Sequence, residues 1–97
     1  MKGYWLILGT AIIDAEAQKE YGRLWAPIAA KYQARINPGK VPPVLQEKRD
    51  TARVIVVEFP SYAAAKACYA DPDYQASLQF AHKGSKRDFL IFEGDLA

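Results

Sequence analysis

The chain has 97 residues, 51% apolar and 25% charged, which predicts one globular domain over residues 1–97 and excludes disordered and collagen-like structure. Thirteen Lys and Arg against eleven Asp and Glu leave a net charge of +2, too little to argue for a nucleic-acid or anionic-membrane partner. A single cysteine, Cys68, and a single histidine, His82, exclude an internal disulfide, a zinc site built on cysteine pairs and a multi-histidine metal site.

The N-terminus has the outline of a secretory leader: Met1-Lys2, an apolar run from Tyr4 to Ile13, then the small-x-small box Ala15-Glu16-Ala17. One leading Lys is a weak charged region, Gly9 and Thr10 interrupt the run, and the run is the most strand-like in the N-terminal half. It is also half of the ~20 residues a spanning helix needs. The expectation is a cytoplasmic protein with no membrane partner.

Residues 4–13 read as a strand, rich in aromatic and aliphatic side chains. Asp14 caps a helix predicted from Ala15 to about Gln33, with Glu16 in its first turn. Ala17, Tyr21, Leu24, Ile28 and Tyr32 draw one stripe along it, widened by Trp25. Pro27 removes a backbone donor inside this helix and predicts a kink or an early end. Ala34-Arg35-Ile36 could be a short strand and Asn37-Pro38-Gly39 a turn. Pro42-Pro43 leaves Val44–Glu47 as an edge strand at best, followed by a solvated turn at Lys48-Arg49-Asp50.

Residues 53–59 form the clearest strand, stopped by Pro60. Ser61 caps an alanine-rich helix to about Ala70, and Asp71-Pro72 opens another to about His82, with Gly84 as its terminator. Residues 88–93 form the last strand, ended by Gly94. Two β-α-β units in so short a chain predict a ferredoxin-like βαββαβ α+β sandwich with a four-stranded antiparallel sheet. A small parallel α/β sheet is the alternative, disfavoured because residues 37–50 hold no crossover helix.

The predicted strands are apolar on both faces. Tyr4, Leu6 and Leu8 oppose Trp5 and Ile7, Val54 and Val56 oppose Ile55 and Val57, and Leu90 and Phe92 oppose Phe89 and Ile91. Helices cover one face, so the other is expected to be closed by a second copy in a two-fold homodimer. The competing reading folds the 34–52 segment over it.

These residues resemble the domain-of-unknown-function family 1330 (DUF1330) of the dimeric α+β barrel superfamily. The resemblance spans nearly the whole chain. It is carried by Lys2-Gly3-Tyr4-Trp5, Lys19-Glu20-Tyr21, Ala30-Lys31-Tyr32, Arg35, Val57-Glu58-Phe59-Pro60-Ser61, Tyr69-Ala70-Asp71-Pro72-Asp73-Tyr74-Gln75 and Phe92-Glu93-Gly94. It implies a ferredoxin-like protomer and a dimeric barrel, and no activity. Related barrel families include cofactor-independent monooxygenases, haem-degrading enzymes and isomerases, an analogy at the level of fold. Two departures stand out: the unusual Val41-Pro42-Pro43 after the Asn37–Lys40 turn, and Ala81 where relatives often carry an arginine.

His82 and Glu58 are the candidates for proton transfer. His82 has the only side chain with an ordinary pKa near neutrality, against a competing role as a solvated helix-end residue. Glu58 shares a strand face with Val54 and Val56, against a position near water or Arg53. Arg35 matches a family position and could hold a ligand carboxylate, or pair with an acid at the sheet edge. Tyr21 and Trp25 could line a cleft between helices and sheet, or simply fill the core. Tyr74, beside the Asp71-Pro72 cap, could join them or pack the turn. Cys68 reads as a buried filler. No phosphate loop, catalytic triad or metal cage is present, so no cofactor is expected. Two functions follow: a protein that binds or transforms a small aromatic or carboxylate ligand in that cleft without metal, or a non-catalytic dimeric interaction module.

Overall fold

A computed structural model describes residues 1–39 and 43–96. In chain order its elements are β1 (Lys2–Gly9), α1 (Ala15–Lys31), β2 (Arg35–Ile36), β3 (Arg53–Phe59), α2 (Tyr62–Ala70), α3 (Pro72–Gly84) and β4 (Arg87–Gly94). The strands form one sheet in the order β2-β3-β1-β4, and every pairing is antiparallel. This is the ferredoxin-like α+β arrangement, and it removes the parallel alternative.

Each helix starts where its cap does. The Asp14 carboxylate accepts from Ala17 N–H at 3.0 Å, Ser61 Oγ from Ala64 N–H at 3.0 Å, and Asp71 from Asp73 N–H at 2.8 Å. α1 continues through Pro27 to Lys31, so the helix does not end early there. The buried Ile28 just beyond the proline anchors the helix, and a left-handed Gln33 (φ 54°) follows its end. β1 stops at Gly9, four residues short of the expected end. Thr10 N–H donates to Lys86 and Ile13 N–H to Gly84, so this stretch follows the α3–β4 connection instead of a strand partner.

Val44–Glu47 forms no strand. The sheet edge is β2, continued by Asn37, whose N–H donates to Val56 C=O and whose side chain accepts from Val56 N–H. Lys40, Val41 and Pro42 of the expected turn lie outside the described residues. α3 continues past His82 through Gly84, which lies within the helix and has no positive φ. Its role is close approach, since a Cβ there would sit 3.3 Å from Gln18 N and 3.4 Å from its Cα. α1 and α3 can therefore pack tightly, along an inward stripe of Tyr74, Ser77, Ala81 and Gly84.

The register divides the sheet into two faces. Trp5 and Ile7 with Ile55, Val57 and Phe59 and with Phe89 and Ile91 face the helices. Trp5 is the centre of this core. It is 1% exposed, its ring lies 4.8 Å from both Phe59 and Phe89, and its Nε1–H donates to Ala65 C=O at 2.9 Å. The molecule is only 19 Å thick, which leaves room for one layer of helices over one sheet.

The other face carries Tyr4, Leu6, Leu8, Val54, Val56, Leu90 and Phe92. At one end the chain terminus closes over it: Leu96 N–H donates to Tyr4 Oη at 3.0 Å and Phe92 stacks on the Tyr4 ring. Elsewhere Leu6, Leu8, Val54 and Val56 are half-buried and Leu90 is 48% exposed. Residues 43–50 are exposed throughout, and Leu45 and residues 47–51 border a cavity with Leu8 at the end of this face away from Tyr4.

Candidate functional site

A cleft of about 320 Å³ opens between α1 and the sheet. Its origin is steric. Small residues let α1 close on α3, while bulky aromatic residues on the sheet side hold α1 away from the strands. Tyr21, Gly22 and Trp25 of α1 form one wall, and Trp5, Ile7, Ile55 and Val57 of the sheet form the other. The Trp5 and Trp25 rings are 5.5 Å apart and tilted by 38°. The inward stripe of α1 thus runs through Trp25. Leu24, expected in that stripe, instead lies in the crevice between α1 and α3.

Two arginines close the cleft at the end where β3 and β4 begin. Arg53 and Arg87 are both in register with Gly9, one on each side of it, on the helix face. The Arg53 guanidinium lies over Gly9, where a Cβ would be 3.1 Å from Nη2. Its Nε donates to Thr10 C=O at 3.2 Å and its Nη2 to Ser85 Oγ at 3.0 Å. Arg87 donates to Tyr21 Oη at 3.3 Å and Tyr74 Oη at 3.4 Å, and its guanidinium stands 5.2 Å from the Tyr21 ring centre. Arg87 Nε is buried and has no partner among the described residues.

The candidates from the sequence are dispersed by this geometry. Tyr21 and Trp25 line the cleft. Tyr74 stands behind it, fully buried, 2.9 Å from Tyr21 Oη, and burial pushes its phenol well above the usual range. Arg35 lies on the opposite face of the sheet, in register with Glu58, and its Nη1 donates to that carboxylate at 3.2 Å. Glu58 also meets Lys2 Nζ at 3.5 Å and accepts from Tyr4 Oη at 3.4 Å. Strand alternation accounts for the separation: Arg35 and Glu58 share the parity of Tyr4, and the cleft that of Trp5. His82 is exposed near the end of α3 and does not line the cleft. Ala81, where an arginine was expected, is buried in the α3 stripe.

In the sequence Arg53 stands out only as the first residue of the 53–59 strand and a neighbour for Glu58, and Arg87 lies one residue before the expected last strand. The signal was available in the glycine: once β1 is paired on both sides, a Gly at position 9 leaves room above it for long side chains from both neighbours.

Outside the cleft, Cys68 is fully buried and burial pushes its thiol up to about 12, which fits a filler. Asp71 accepts from Lys31 Nζ at 2.8 Å and Tyr32 Oη at 2.6 Å, and these partners hold its carboxyl well below the usual range. No group of three or more His, Cys, Asp or Glu that could hold a metal occurs among the described residues. Among them, too, no helix is long and apolar enough to cross a membrane.

The fold has solved counterparts. A protein of unknown function from Rhodopseudomonas palustris superposes with a TM-score of 0.61 at 20% identity, over 99% of this chain and 84% of that one. SnoaB, a cofactor-independent oxygenase from Streptomyces nogalater, gives 0.59 at 14% identity over 99% and 95%. A dimeric protein of unknown function with a ferredoxin-like fold from Bacteroides fragilis gives 0.52 at 12% identity over 96% of each chain. At these identities the likeness is one of fold. No curated protein matches the sequence. Residues 2–95 match the family described as Domain of unknown function (DUF1330), and the chain belongs to that family.

Proposed function

We propose that this protein binds a small organic molecule, aromatic or carboxylate in character, in the cleft between α1 and the sheet, and does so as a homodimer. The cleft itself carries the reading. Its 320 Å³ falls within the ~300–1,000 Å³ of small-molecule sites, whereas an interaction module needs only a filled interior. Two tryptophans and a tyrosine supply flat apolar walls, and two guanidinium groups supply donors. A cofactor-independent oxygenase on the same fold supports an organic ligand as an analogy of architecture. Among the described residues no histidine or carboxylate lines the cleft, and the side chains that do are suited to hold and orient a ligand.

A thermal-shift screen against small aromatic and carboxylate metabolites tests this, because a ligand that binds only the folded state raises the melting temperature. Both tryptophans of the chain line the cleft, so fluorescence quenching reports the same event independently. Binding should appear in both signals and be lost in Trp25→Ala. A panel that moves neither signal would leave the non-catalytic module as the better account.

A further inference from the structure

We infer that the ligand is an aromatic carboxylate, whose carboxylate is held jointly by Arg53 and Arg87 while its ring lies between Trp25 and the sheet. This rests on the cleft being a ligand site and adds the charge and orientation of the occupant.

Three observations carry it. Arg53 and Arg87 belong to different strands but are drawn to one place: the Arg53 guanidinium reaches across Gly9 towards β4 and bonds Ser85, two residues before Arg87. The groups bonded to this pair are neutral. They are the Tyr21 and Tyr74 hydroxyls, the Thr10 carbonyl and the Ser85 hydroxyl; among the described residues no carboxylate lines the cleft, and Glu47, Asp50 and Asp88, which border a second cavity beside Arg87, form no ion pair with it.

The third observation is spare donors: each Arg87 Nη carries two N–H groups and makes one protein contact among the described residues. Arg53 uses Nε and Nη2 for its protein contacts, so its Nη1 is not engaged by them. A planar carboxylate matches such donors with two short charge-assisted bonds. The rest of the lining selects the remainder of the ligand. Trp25 and Ile55, half-buried above the buried Trp5, Ile7 and Val57, present apolar surface that a small inorganic anion would leave uncovered.

The test uses matched probes on the full chain: benzoate, cinnamate and 2-naphthoate, each against its primary amide, with inorganic phosphate as a third arm. Tryptophan quenching and thermal shift are read at pH 7. At least one acid should bind at least tenfold more tightly than its amide and than phosphate. Arg87→Gln and Arg53→Gln should each bring the acid down to the level of its amide measured on the same variant. Acid and amide binding equally would overturn the inference and leave the cleft reading standing. Phosphate binding as well as the acids would overturn it by making the site a general anion site. Acid binding unaffected by both substitutions would place the anion elsewhere. No binding by any probe would remove the cleft reading together with the inference. If either variant fails to fold, the acid-against-amide comparison on the unmodified protein still decides.

Discussion

Gly22 sits in the interior of α1, exposed, with nothing within 4 Å of where its Cβ would be. Packing does not require a glycine there, and a helix-interior glycine costs about 0.5–1 kcal/mol relative to alanine. It does line the cleft. Gly22→Ala is therefore expected to stabilise the fold by roughly that amount in urea unfolding, and to weaken the thermal shift produced by a cleft ligand. Gly3 is the opposite case. A Cβ there would fall 2.5 Å from Ser61 O and 2.6 Å from Tyr62 Cα, both backbone atoms that cannot swing aside. Gly3→Ala should cost roughly 1–3 kcal/mol or more by overpacking. Wild-type stability in that variant would mean that β1 can shift away from α2. Cys68, buried with its thiol pushed up to about 12, should resist iodoacetamide at pH 8 until urea unfolds the chain. Of the residues the sequence singled out, Tyr21 and Trp25 reach the cleft because helical spacing already put them on one stripe. Arg35 does not, because a two-residue strand gives no periodicity from which to read its face.

Between elements, Asp71 is the main tie. It caps α3 through Asp73 N–H and receives Lys31 and Tyr32 from the end of α1, so one carboxylate joins two helices. Its folded pKa is depressed, so its contribution is fully present above the usual carboxylate value near 3.8 and is lost progressively as pH falls below it. Asp71→Asn keeps a capping oxygen but loses the charge. Its stability deficit should be largest at pH 6 and shrink at pH 3, measured by denaturation across that range. A deficit independent of pH would assign the role to capping alone. The caps, the three main strands and the helix order were legible because each depends on a few adjacent side chains. The course of α1 through Pro27 was not, because packing on α3 and the Asp71 tie come from residues far along the chain.

At the scale of the molecule, the uncovered sheet face is the feature that most constrains assembly. Leu6, Leu8, Val54, Val56 and Leu90 lie opposite the helices, and the terminus covers only the Tyr4 end. A second copy is the expected cover. Light scattering should give twice the 10.8 kDa chain mass. Leu90→Lys, at a site 48% exposed and so tolerant of change within one protomer, should shift the mass towards the single chain while circular dichroism stays native. A well-folded wild-type chain that scatters at 10.8 kDa at micromolar concentration would overturn the dimer.

Apolar periodicity and capping residues, which act over a few neighbours, were enough to determine the element order, the ferredoxin-like class and the existence of two hydrophobic sheet faces. They also placed two aromatic residues on the inner side of α1. Only the tertiary structure decided which charged residues share a site, because that depends on strand register and on the parity of each position along its strand. Register sent Arg35 and Glu58 to one face of the sheet. It brought Arg53 and Arg87 together on the other, across a glycine 44 positions before one and 78 before the other.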